Sequence, residues 1–209
     1  GGGGVLAGEI ALGLARAGAD VAILDFNADA ANARARQIRD LGRRAIGIAV
    51  DATKKADLQR ALATMISELD GAHILVNAAG INSGTPFFEI SEEECHRIID
   101  VDLKSVFLAC QVFGAHMVQP GNGGSVINIS SASSGPPLSK VFTYSVAKGG
   151  VNQITQFLAR EWATQGVRVN AILPGFFPAE QNRKLLTEDR VAAIMRHTPM
   201  ARYGEASEL

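Results

Sequence analysis

Cysteine is scarce in this chain, tryptophan occurs once, and neither sign of charge prevails. The two thiols, Cys95 and Cys110, stand at no metal or disulfide spacing and read as the ordinary reduced thiols of a cytoplasmic protein. Cys95-His96 has no further ligands nearby, so no metal is assigned. The net charge is −1 and the arginines are scattered, which leaves no basic field for nucleic acid or an anionic membrane and favours a small molecule as partner. No apolar run reaches the ~20 residues of a membrane span, and no signal peptide is visible. A starting methionine is lacking too. The chain opens on Gly1-Gly2-Gly3-Gly4 and reads as a piece of a longer protein.

What is present suits one domain with a sizeable core: 209 residues, 47% of them hydrophobic. Helical periodicity over residues 5–17 stops at Gly18, and further helices are expected over 27–41, 54–69, from Ser91, and over 142–165. Ser91 and Glu94 form a capping box for the helix that Ser91 opens. Between the helices lie short apolar runs, at 21–24, 45–50, 73–76, 125–129 and 167–173. Uniformly apolar strands separated by helices belong to a parallel sheet covered on both faces. The expectation is a single doubly wound α/β domain, Rossmann-like, over residues 1–209.

Tyr144 and Lys148 stand four residues apart on one helix face and can act on one proton. A free phenol ionises near pH 10, so its use as a base at neutral pH needs a fixed positive charge beside it, which Lys148 can supply. Ser131 ends the strand upstream and offers a hydroxyl to grip a substrate oxygen. Alone, Tyr-x-x-x-Lys is most often plain helix surface. Here it comes in order with Asn77-Ala78-Ala79-Gly80, Ser131 and Pro174-Gly175, which makes coincidence a poor explanation.

Gly1, Gly2, Gly3 and Gly4 precede a helix that begins Val5-Leu6, and bare N–H groups at a positive helix end suit a pyrophosphate. A flexible terminus is the plainer reading of four glycines. Asp25 weighs against it, because it ends the following strand at the interval where dinucleotide folds set an acid on the ribose 2′-hydroxyl. Phe26 and Asn27 follow, with no basic residue for a 2′-phosphate, so the cofactor expected is NAD. Asp51-Ala52 and Asn77-Ala78-Ala79-Gly80 also fall at the carboxyl edge of the sheet, although each alone reads equally as a strand-ending turn.

Together these residues resemble the short-chain dehydrogenase/reductase family over essentially the whole chain. The resemblance implies that Tyr144 is the general acid/base, that Lys148 lowers its pKa and holds the nicotinamide ribose, and that Ser131 binds the reacting carbonyl. Asn77 to Gly80 would support the cofactor side. The segment from Pro174 onward lacks the threonine that the family commonly places after Pro-Gly, and is most similar to the D-mannonate oxidoreductase (fructuronate reductase) branch. Two further departures stand out. Val5 and Ala7 occupy the places of the second and third glycines, with Gly8 following. Asp102 replaces an asparagine that usually supports a water relay to the lysine, and a carboxylate there can accept a hydrogen bond but not donate one. The family's first strand is expected ahead of Gly1 and its last beyond Leu209, in a protein of about 250 residues.

The expectation is therefore an NAD(H)-dependent oxidoreductase interconverting a secondary alcohol and a ketone, on a sugar acid such as D-mannonate/D-fructuronate. Another polyol, ketose or 3-oxoacyl substrate is the alternative. A non-catalytic dinucleotide sensor is disfavoured by the complete Ser131, Tyr144 and Lys148, and an epimerase or dehydratase by the lack of an added substrate domain. The loop after Pro174-Gly175 leaves the sheet beside the nicotinamide in this fold, so Phe176, Phe177, Gln181, Asn182 and Arg183 are candidate substrate contacts. Arg183 suits a carboxylate, and reads equally as a solvated helix residue. The resemblance also implies a homodimer or homotetramer through the helices that carry Asp102 and Tyr144. Gly149-Gly150 suit close approach of a partner backbone or a neighbouring helix, and Phe157 and Trp162 read as interface anchors or plain core.

Overall fold

The computed structural model describes residues 1–135, 140–177, 187–196 and 198–209. Gly4 opens α1 (Val5–Arg16), and the chain turns through left-handed Gly18 (φ 102°) into β1 (Val21–Asp25). Asn27 caps α2 (Ala28–Asp40), its side-chain oxygen accepting from the N–H groups of Asp29 and Ala30. Then follow β2 (Ala45–Ala49), α3 (Lys55–Leu69) and β3 (Ile74–Asn77). Next come α4 (Glu92–Ile99), a π turn (Asp100–Lys104), α5 (Ser105–Met117) and β4 (Gly124–Ile129). The chain continues with α6 (Phe142–Glu161), β5 (Val167–Ile172) and α7 (Glu188–Arg196). The helix expected over 142–165 stops at Glu161, and its last turn is a separate 3-10 turn, Ala163–Gln165.

Every strand pairing is parallel, and the fold is a single-domain Rossmann-like α/β structure. The described strands form two sheets rather than one continuous one. β1 pairs with β2, Val21 opposite Ala45, while β3, β4 and β5 pair in that order, with Ile74 opposite Ser125 and Gly124 opposite Val167. β1 and β3 do not pair, and between them lies a cavity of about 490 Å³ lined by Ile23, Leu24, Leu75, Val76, Ala109 and Phe113. α2 sits hard on β2, because a Cβ on Gly47 would come within 2.8 Å of the Ala31 backbone. The second sheet packs on α5 and α6 through Val106, Cys110, Met117, Val126, Val151 and Val169.

One local expectation needs correction, and two open readings are decided residue by residue. Ser91 caps α4 by accepting from the Glu94 N–H (3.1 Å), but the Glu94 carboxylate does not return the bond. It accepts from the hydroxyls of Ser83 (2.6 Å) and Thr85 (2.9 Å), tying down the loop after β3. Trp162 lies across Gly114 and joins the core of the second sheet, whereas Phe157 is 68% exposed. Gly150 makes room for Leu103 of the π turn, 2.8 Å from where a Cβ would stand, and Gly149 faces open space.

Candidate active site

Parallel strands deliver the loops that follow them to one edge, where such sheets bind ligands. At that edge three of the four glycines tolerate no side chain. A Cβ would meet the Ala78 carbonyl oxygen at 2.9 Å from Gly1, that of Leu24 at 3.0 Å from Gly2, and the Ala30 Cβ at 2.8 Å from Gly3. The expectation that these glycines point their N–H groups at a pyrophosphate is corrected. Gly2 donates to Leu24 O, Gly3 to Asp25 Oδ2 and Gly4 to Gly1 O, each at 3.0 Å. The N–H groups left without a partner among the described residues are those of Val5, Leu6 and Ala7, the first turn of α1. Gly8, one position past the expected third glycine, lies under the Arg34 guanidinium, which pairs with Glu9 at 3.5 Å.

Asp25 holds this loop from below. Its Oδ1 accepts from Asn27 N–H (2.9 Å), and its Oδ2 accepts from Gly3 N–H (3.0 Å). Burial pushes the carboxyl up, and the N–H groups of Asn27 and Gly3 pull it down. Bare N–H groups at a helix start, a glycine floor and an ionised carboxylate at a strand end fit a dinucleotide. Asp51 has local work: its Oδ1 accepts from the N–H (2.9 Å) and hydroxyl (2.6 Å) of Thr53, and its own N–H donates to Asp57. Ala52 packs into the core. The side chain of Asn77 turns into the sheet and donates to Asn128 Oδ1 (2.8 Å), and Asn128 in turn donates to Thr155 (2.9 Å). Ala78 and Ala79 border Gly1, and Gly80 faces Asp102 and Lys148.

β4 and α6 bring the chemical groups together. Ser131 caps a 3-10 turn, Ala132–Ser134, and its Oγ accepts from the Ser133 N–H (3.2 Å) and hydroxyl (3.0 Å), leaving its own proton for the Tyr144 oxygen. Tyr144 occupies the first turn of α6 and Lys148 the next, with Nζ 5.6 Å from the ring centroid. Lys148 is 3% exposed and donates to Ile129 O at 3.0 Å. Asp102 is fully buried: Oδ1 accepts from Ile81 N–H (2.8 Å), and Oδ2 lies 3.7 Å from Lys148 Nζ, an ion pair too long to be a hydrogen bond. Burial pushes the Asp102 carboxyl up to about 6, against the pull of Lys148 and the Ile81 N–H. Burial lowers Lys148, with Asp102 opposing. Tyr144 stands above its ordinary value, raised by burial and by the Asp102 charge and eased by Ser131. The expectation of a phenol lowered by Lys148 is thus corrected in this structure: desolvation and the countercharge prevail. Ser133, which orients Ser131, was missed in the sequence, although a second hydroxyl two residues on was a readable signal.

Beside this cluster is a cavity of about 320 Å³ lined by Thr85, Phe87, Ser133, Lys140, Phe142 and Ser145. The Ser145 hydroxyl is buried without a hydrogen-bond partner among the described residues. Ala132 N–H donates to Pro174 O (3.0 Å), which draws the loop after β5 alongside Ser131. Gly175 borders open space, Phe176 O accepts from Gly204 N–H (2.9 Å), and the Phe177 ring covers Gly204. Gln181, Asn182 and Arg183 lie outside the described residues. Among the described residues no group of three or more His, Cys, Asp or Glu side chains is placed to hold a metal, and no helix is long and apolar enough to cross a membrane.

A family model described as enoyl-(acyl carrier protein) reductase matches residues 4–209. The 2-dehydro-3-deoxy-D-gluconate 5-dehydrogenase of Escherichia coli (strain K12) is 34% identical over 201 residues, spanning 96% of this chain and 79% of that protein. The crystal structure of a gluconate 5-dehydrogenase from Burkholderia cenocepacia J2315 in complex with NADP and tartrate superposes with a TM-score of 0.93 at 32% identity, over 100% of this chain and 82% of that one. That of a putative D-mannonate oxidoreductase from Haemophilus influenza with bound NAD gives 0.92 at 32% identity, over 100% and 82%. With this site and these relatives, the chain is a nicotinamide-dinucleotide-dependent dehydrogenase or reductase acting on CH–OH groups, and it belongs to the short-chain dehydrogenase/reductase family.

Proposed function

We propose that the protein is an NAD(H)-dependent oxidoreductase that interconverts a secondary alcohol and a ketone on a sugar acid, with D-mannonate/D-fructuronate as the favoured pair. The observation that carries this reading is the cavity lined by Thr85, Ser133, Ser134, Ser145 and Lys140, next in the chain to Ser131 and Tyr144. A polyhydroxy acid presents many hydroxyls and one carboxylate, and Ser145, without a partner among the described residues, together with Lys140 supplies complementary groups. The relatives named for gluconate and mannonate chemistry support the class.

Bound at the carboxyl edge, the dinucleotide supplies or accepts the hydride. Tyr144 gives its phenolic proton to the carbonyl oxygen in reduction and takes the hydroxyl proton in oxidation, and Ser131 donates a hydrogen bond to the same oxygen. Lys148 holds the nicotinamide ribose, and Val5 and Leu6 N–H groups hold the pyrophosphate. Asp25 accepts from the ribose hydroxyl and repels a 2′-phosphate, which favours NAD. The active form is a homodimer or homotetramer through α5 and α6, whose exposed Phe107 and Phe157 are available to be covered.

Initial rates with NAD and NADP against a panel of aldonates, uronates, neutral polyols and 3-oxoacyl thioesters test the reading. Sugar acids with NAD should exceed neutral polyols in kcat/KM by about tenfold or more, as expected where a carboxylate is paired with a cation. Turnover restricted to other substrates would remove the sugar-acid assignment, and no turnover of any alcohol or ketone would remove the enzyme reading as a whole.

A further inference from the structure

We propose that Glu94 is a positioning residue for substrate recognition: its carboxylate clasps the loop between β3 and α4 and holds it as one wall of the cavity of about 320 Å³, so that Glu94 sets which substrates fit without touching them. The consequence for substrates rests on the oxidoreductase reading above; the clasp itself does not.

A serine that opens a helix and a glutamate three residues on ordinarily bond each other's backbone N–H groups. At α4 only half of that exchange is made. Ser91 Oγ accepts from Glu94 N–H at 3.1 Å, while the carboxylate gives one oxygen to each of two hydroxyls, Oε1 accepting from Ser83 at 2.6 Å and Oε2 from Thr85 at 2.9 Å. Hydrogen bonds to a carboxylate are short and roughly twice as strong as neutral ones, which favours the departure from the helix cap. Ser83 and Thr85 are two residues apart, the spacing that sets side chains on one side of an extended chain.

The loop has little else to hold it. Among the described residues, no backbone-to-backbone hydrogen bond involves residues 81–85. Its fixed points are side chains: Asp102 Oδ1 accepts from Ile81 N–H (2.8 Å) at its start, Glu94 takes its middle, and at its end the Phe87 ring meets Phe142 edge-on, 4.9 Å between centroids. Phe87 and Phe142 are 58% and 51% exposed, so their contact adds little burial, and the clasp decides where the loop lies. What the loop presents is cavity wall, since Thr85 and Phe87 line it together with Ser133, Lys140 and Ser145. The Thr85 proton is committed to Glu94, so this residue can offer a ligand only acceptor lone pairs, which suit the hydroxyl donors of a polyol.

The test is Glu94→Ala in the full chain, with Glu94→Gln, which keeps one acceptor oxygen, as the graded variant. Ser83→Ala, outside the cavity lining, removes the shorter bond from the loop side should the alanine variant not fold. Backbone order parameters of residues 82–85, from 15N relaxation of the deuterated protein, should fall from the rigid range near ~0.85 to below ~0.6 in Glu94→Ala. KM for the best sugar acid should rise by about tenfold, with kcat within about threefold of the parent and dinucleotide affinity unchanged, and Glu94→Gln should fall between the two. Parental order in the loop of Glu94→Ala would overturn the proposal, as would a loosened loop with KM unchanged across the panel. A loss confined to kcat would also overturn it, being the mark of a helix-cap defect that lowers the fraction of active protein. A protein silent toward every alcohol and ketone would sink the oxidoreductase reading, and the loop order of the variant would then decide the clasp by itself.

Discussion

The half of the molecule built on β1 and β2 and the half built on β3, β4 and β5 hold their functional groups by different means. In the first, backbone does the work: glycines admit no Cβ, their N–H groups close the loop, and helix-start N–H groups are left for the ligand. Its ion pairs sit at the surface, Asp20 with Arg43 (2.8 Å) and Arg44 (2.7 Å), and Arg44 with Asp70 (2.9 Å). In the second, buried side chains do the work: Asn77 on Asn128 on Thr155, Ser133 on Ser131, Asp102 against Lys148. A site made of backbone tolerates any substitution that does not collide. One made of buried polar side chains is sensitive to single atoms, because each deletion strands a partner away from water.

The sharpest test of that contrast is Tyr144→Phe, which removes one oxygen. Turnover should drop by ~10²-fold or more while dinucleotide affinity, measured by calorimetry, stays near that of the parent. Near-full turnover would dissolve the assignment. Next comes Asp25, the one side chain on which the first half depends: kcat/KM for NADH should exceed that for NADPH by ~10²-fold, from like-charge repulsion at ~4 Å in a partly screened site. Equal values would show that the backbone there ignores the 2′-position. Asn128→Leu should cost ~1–3 kcal/mol in urea denaturation by stranding Asn77 and Thr155. Arg44→Ala should cost under ~1 kcal/mol, because its pairs are exposed to water and salt. A loss as large as that of Asn128→Leu would erase the distinction between the halves.

Much of the frame was legible from residues alone. Gly18, Gly42 and Gly166 end helices or turns in left-handed conformations that glycine enters without steric cost. The Tyr144–Lys148 pairing follows from helix periodicity, and the placing of Ser131 from the end of an apolar strand. What stayed hidden depends on chain closure rather than on local pattern. The glycine N–H groups are consumed by Leu24, Asp25 and Gly1, a fact that only the folded loop settles. Asn77 finds Asn128 across 51 residues, and Glu94 leaves the helix cap for two hydroxyls of a preceding loop. A helical wheel puts Asp102 on the buried face between Ile98 and Val106, but not the lysine it meets there, which comes from α6, 46 positions further along the chain.

That turn works as a joint between two rotational settings. A π turn takes up one residue more than an α turn, and one residue is worth about 100° around a helix. Upstream the rod aims Ile98 inward; downstream it aims Val106, Ala109, Cys110 and Phe113 at the core; and between them Asp102 points at Lys148. At about 100° per residue Ile98, Asp102, Val106, Ala109 and Phe113 share one face, so a shift of one residue on either side of the turn takes part of that face off its partners. The quantity under constraint is thus the number of residues from Asp100 to Lys104 more than the identity of those at the surface. Replacing exposed Lys104 should be nearly silent, whereas deleting it should rotate either the acid off its lysine or the apolar stripe off the core, which a single-residue deletion scan scored by thermal melting would reveal.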